Sequence, residues 1–94
     1  MRRRIKIPIY NQYFYLVVTE EENEHYMAWV DVVDGMLTAT FIKNHISDGI
    51  IVHESVHLVN FLYERIGAKL DIINDEHQAY LTQWFFETIK KNLK

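Results

Sequence analysis

The sequence predicts a single α+β domain: an antiparallel meander of three to four strands, residues 1–43, followed by two packed helices, residues 45–67 and 74–93. Three observations predict it. The first half is rich in β-branched and aromatic residues in short runs, the hydrophobic period changes near Asn44 toward the helical value of about 3.6, and turn or cap residues stand between the runs. The 94 residues, 49% of them hydrophobic, suffice for one core and exclude a two-domain enzyme.

Residues 5–10 and 13–19 read as the first two strands, with Asn11-Gln12 between them as a tight hairpin. Pro8 assigns the first strand to an edge, where a missing amide donor does least harm. The acidic run over residues 20–24 reads as a solvated loop. Residues 26–33 and 36–43 form the next pair, joined by Asp34-Gly35, a dipeptide suited to the positive φ angles of a type I′ turn.

From Ser47 the pattern is helical. Ser47 or Asp48 caps the helix and Gly67 stops it, because glycine accepts the left-handed conformation that ends helices. Asn74 is the expected cap of the second helix, with Asp75 and Glu76 in its first turn and Lys90, Lys91 and Lys94 complementing the dipole at its end.

Composition narrows the partners. No cysteine is present, which excludes disulfide frameworks, thiolate zinc ribbons and cysteine nucleophiles, and suits a reducing compartment. A formal charge of −3 argues against a nucleic-acid partner bound through counterion release. Arg2, Arg3 and Arg4 are followed by Ile5-Lys6-Ile7-Pro8, not by the apolar stretch of a secretory signal, and no run has the length of a membrane span. The expected setting is cytoplasmic, with no membrane partner.

The chemistry lies in His53-Glu54-Ser55-Val56-His57. On a helix, side chains four apart project from one face, so both imidazoles can reach one ion. Asn60 and Glu64 continue the stripe, while Ile50, Ile51, Leu58, Val59 and Leu62 make the rest of the helix apolar. Burying such a stripe unpaired costs about 1–3 kcal/mol for each neutral group. Zinc offsets that cost by taking a lone pair from each neutral imidazole. Glu54, about 100° round from His53, stands beside the ion, where a carboxylate can accept a proton from a polarised water as general base.

A catalytic zinc takes three protein ligands and keeps one open position. Glu76 is the first choice for the third, because the link after Gly67 is short enough to fold the second helix back on the first. His77, Asp75 and Asp71 are nearby alternatives, and His45 and His25 more distant ones. Tyr80, Gln83 and Glu87 extend from Glu76 at the spacing by which His57, Asn60 and Glu64 extend from His53, so two polar stripes are expected to face each other. Tyr80 is a candidate helper, donating a hydrogen bond to an oxyanion.

These residues resemble the zinc metallopeptidases that carry His-Glu-x-x-His, and within them the gluzincins, the thermolysin-like group in which a later glutamate completes the site. The resemblance covers about half of the chain. It implies His53, His57 and Glu76 as zinc ligands, Glu54 as general base, and hydrolysis of a peptide or protein held in extended form. It also implies that the strand before the zinc helix, residues 36–43, lines the cleft and pairs with substrate. Tyr80 departs from the group's pattern, which often has an acidic residue there. Asn60 stands where a metzincin would have glycine. The compact layout is also similar to small proteins of phages and mobile elements. A second function class stays open: a non-catalytic, zinc-stabilised binding or regulatory protein of phage type, for which the small size speaks.

Overall fold

The computed structural model describes residues 1–8 and 11–93. It has four strands, β1 (Arg2–Lys6), β2 (Tyr13–Thr19), β3 (Ala28–Val33) and β4 (Met36–Ile42), then two helices, α1 (Asp48–Ile66) and α2 (Glu76–Asn92). A turn of 3-10 helix, Lys43–His45, precedes α1. Strands therefore come first and helices second, the α+β arrangement that the change of hydrophobic period predicts.

Within the sheet the strand order is β1-β2-β4-β3. The outer pairs are antiparallel, but β2 and β4 run parallel, with Leu16 beside Ala39, which corrects the expectation of a simple antiparallel meander. Burial explains the order. Every residue of β4 after Met36 is buried, whereas β3 ends on exposed Val32 and Val33. A strand apolar on both faces belongs inside a sheet, and one with an exposed end belongs at the edge. The link 20–27 thus passes over one strand position, which β4 fills when the β3–β4 hairpin folds back. That hairpin turns on Asp34 (φ 52°) and Gly35 (φ 77°), as type I′ geometry requires.

The first strand is displaced from its expected place. It spans Arg2–Lys6 and ends before Pro8, whose missing N–H cannot continue the ladder. Lys6 pairs with Tyr13 and the Ile7 amide donates to the Gln12 carbonyl at 2.8 Å, so the connection is longer than the two-residue turn expected at Asn11-Gln12. The expected strand 5–10 includes Ile9 and Tyr10, which lie outside the described residues.

Alternation along each strand separates two faces. Phe14, Leu16, Ala28, Leu37, Ala39 and Phe41 point to the helices and form the core with Leu58, Leu62, Leu81 and Phe85. The opposite face carries Arg2, Arg4, Tyr13, Tyr15, Trp29, Asp31, Thr38 and Thr40.

The caps of α1 are those its sequence signals. Ser47 Oγ accepts from the Ile50 amide at 3.2 Å, and Gly67 closes the helix at φ 74°. The second helix starts later than Asn74 capping implies. Asp71 Oδ1 accepts from the amides of Ile73 (2.9 Å) and Asn74 (3.2 Å), which fixes a turn ahead of the helix and leaves Asp75 at the cap position. Those two bonds also hold the Asp71 carboxyl below its usual range. Lys90 Nζ meets Asp48 Oδ2 at 3.1 Å and Tyr63 Oη meets His77 Nδ1 at 3.2 Å, so α2 returns antiparallel to α1. Among the described residues no helix is long and apolar enough to cross a membrane.

Candidate metal centre

The core stripe of α1, which includes Ile51, Ser55, Leu58 and Leu62, turns His53 and His57 to the opposite side of the helix. Their rings meet edge to face, with centroids 4.9 Å apart and the two Nε2 atoms 3.3 Å apart. Two ligands each about 2.0–2.1 Å from a tetrahedral ion are separated by about 3.3–3.4 Å. The imidazole pair therefore already has the spacing that one zinc ion imposes. The His53 side chain is 68% exposed, so the pair is open to entry from solvent.

Glu54 sits on the inner flank of this pair. It is 5% exposed, and its Oε2 lies 3.9 Å from His53 Nε2. Burial pushes its carboxyl above the ordinary value of 4.5, while the positive potential of His53 and His57 partly opposes the rise. A carboxyl with a raised folded pKa binds more protons in the folded chain, so stability is greatest below the unfolded value and declines as pH rises from there through the folded value. Denaturant midpoints of zinc-free protein should therefore fall as pH rises above about 4.5, and Glu54→Gln should remove that part of the slope. Superimposable profiles would mean that the carboxyl is not desolvated.

Two adjoining crevices open on Glu54. One, of about 610 Å³, runs between α1 and the β3 segment from Ala28 to Asp31, with His53, His57 and Phe61 along the helix side. The other, of about 560 Å³, lies under the link 20–27, where His25, Tyr26 and His45 approach His53 and Glu54. The acidic run is thus a loop, as expected, but one drawn over the site. Glu22 Oε1 reaches His45 Nε2 at 2.6 Å, Glu20 reaches Lys43 at 3.6 Å, and Asn23 Oδ1 accepts from the amides of His25 (2.8 Å) and Tyr26 (3.1 Å). Charge-run reasoning could not place this loop, because its position depends on partners in the 3-10 turn. The one local signal is His25 and Tyr26 directly after the acids.

The cleft-lining strand is β3, not the segment 36–43. β4 is paired on both sides and has no free edge, whereas β3 is an edge strand along the crevice.

The polar stripes of the two helices come together only at Asn60 and Gln83, which share a groove, and not at the histidines and Glu76. The two cross-helix contacts set Tyr63 level with His77 and Asp48 level with Lys90, so His57 lies level with about residue 82 of α2, and Glu76 is about 9 Å further along the axis. Glu76 and Tyr80 are exposed and line neither crevice. Asn60 turns toward α2, in a groove with Val52, Val56 and Gln83. Asp71 and Asp75 lie in the link and at the cap, and His77 is engaged by Tyr63. Among the described residues no three histidines, aspartates or glutamates form a metal-binding group. The structure brings together His53, His57 and Glu54 from the expected set, with the more distant candidates His25 and His45 lining the crevice beside His53 and Glu54.

Comparison of the chain with protein-family models, with curated proteins and with solved structures gives no match.

Proposed function

We propose that this chain is a minimal zinc-dependent peptidase in which His53 and His57 hold the metal and Glu54 is the general base. The observation that supports the reading best is the 3.3 Å separation of the two Nε2 atoms beside a buried carboxylate. Zinc, when bound there, polarises the scissile carbonyl and the attacking water. Glu54 takes the proton from that water and returns it to the departing amine, which balances the hydrolysis. The free edge of β3 offers backbone donors and acceptors to an extended peptide laid along the crevice. Glu76, the expected third donor, is exposed and lines neither crevice, so it is given no part in this reading. Tyr80 is given no part, since it lines neither crevice. A cytoplasmic setting fits the lack of cysteine.

Metal analysis after dialysis without chelator tests the proposal. Wild type is expected to retain about one zinc per chain, and His53→Ala or His57→Ala to retain none. Retention equal to wild type in both variants would overturn it. Glu76→Ala in the same series should retain zinc as wild type does, because Glu76 lines neither crevice beside the pair. Loss of zinc from that variant would restore it as a ligand.

The reading as a zinc-stabilised binding protein without turnover is favoured by one observation, that among the described residues no three histidines, aspartates or glutamates are grouped as a complete metal site. A zinc-loaded protein that cleaves no unstructured peptide would support it.

A further inference from the structure

The face of the sheet turned away from the helices has a chemistry that the metal site does not use. Arg2, Arg4 and Lys6 of β1 all project onto it. The Arg2 guanidinium lies 4.2 Å from the centroid of the Tyr15 ring, and that of Arg4 lies 4.5 Å from the centroid of Tyr13. Stacking of this kind fixes a guanidinium without consuming its N–H groups. Thr38 and Thr40 form the floor beside them, and Trp29 and Asp31 stand at the far edge, where they also border the crevice beside His53 and His57. Asp31 Oδ1 is shielded from solvent and has no hydrogen-bond partner among the described residues. A buried acceptor left unpaired is costly and rare, so a donor that reaches the Asp31 carboxylate from this edge would relieve that cost.

A basic edge, a row of aromatic rings and a lone acceptor call for an occupant with phosphates, flat rings and an exocyclic amine. We propose that this face binds single-stranded nucleic acid. Phosphates lie along Arg2, Arg4 and Lys6, bases stack on the guanidinium–tyrosine pairs and on Trp29, and the amine of cytosine or adenine donates to the half-buried Asp31 carboxylate. The overall charge of −3 weighs against a polyanion only on average. Of the acidic run, Glu24 lines the helix crevice, Glu20 pairs with Lys43 and Glu22 with His45, and Asp31 is the one acid among the strand residues of the open face. An acidic peptide would satisfy the cations and, through an amide, the acceptor, but would leave the rings without flat partners to stack on.

Fluorescence anisotropy with a labelled oligodeoxycytidine of about twelve nucleotides tests the proposal. Three phosphate contacts give a slope of log affinity against log salt of about −2, or roughly sixteenfold weakening from about 50 to 200 mM. The double variant Arg2→Ala/Arg4→Ala should bring the slope to about −0.7. Oligodeoxythymidine, which lacks the amine, should bind more weakly than oligodeoxycytidine, and Asp31→Ala should erase that preference while Asp31→Asn keeps it. No binding at the lower salt, an unchanged slope in the double variant, equal affinity for the two oligonucleotides, or equal competition by polyglutamate would each overturn it.

Discussion

Glu54→Gln is expected to keep zinc and lose turnover, lowering kcat on an unstructured peptide by about 10²–10⁴. The substitution preserves the volume and polarity of a side chain that is 5% exposed, so the packing between α1 and β3 has no reason to change. What is lost is the ability to take a proton. His53 and His57, which carry the metal in the proposed reading, are untouched, so zinc content should equal that of wild type. KM should move little, because substrate binding is assigned to the β3 edge and not to the carboxylate. Equal cleavage by the two proteins would remove Glu54 as the base, even if zinc is bound.

Phe85→Ala is expected to lower stability by about 3–5 kcal/mol, measured as the shift of a urea or thermal midpoint. Phe85 is fully buried, and its ring sits 5.2 Å from the rings of both Phe14 and Trp84 in edge-on contacts. Such contacts add to the burial of the ring itself. Domains of this size have about 5–15 kcal/mol in total, so the variant should lose a large share of its stability and unfold at a clearly lower temperature than wild type. Phe85→Leu keeps most of the volume and should cost clearly less. Because α2 seals α1 onto the sheet through this cluster, zinc uptake should fall in parallel with the folded fraction. Undiminished stability of Phe85→Ala would contradict the packing described.

Much of the fold was legible wherever a local rule decides it. Ser47 and Gly67 bound α1 because a hydroxyl can take an orphan amide and glycine tolerates a positive φ, and both rules act within a few residues. Asp34-Gly35 fixes the second hairpin for the same reason. The convergence of His53 and His57 was legible because helical geometry alone sets it. Strand order was not, since the choice of β4 as the partner of β2 rests on burial of the whole strand against the helices. Three consecutive arginines do not read as a strand, yet β1 forms there because Arg2 and Arg4 find Tyr15 and Tyr13 across the ladder. Glu76 shows the limit of counting. Equal spacing along two helices places residues on stripes, but only the antiparallel register sets which residues stand level, and that register puts Tyr63 opposite His77.

The parallel contact between β2 and β4 carries a kinetic consequence. Joining these two strands closes a stretch that includes the whole of β3, so its entropic cost falls due before any reward from that pairing. The β3–β4 hairpin, held by its own turn, is therefore the unit that docks, and docking leaves β2 with neighbours on both sides in one step. During synthesis, the β1–β2 hairpin leaves the ribosome first and waits with one flank unpaired until residue 42 has followed it. Delay in that interval exposes Leu16 and Val17 to a second nascent copy before the proper neighbour arrives.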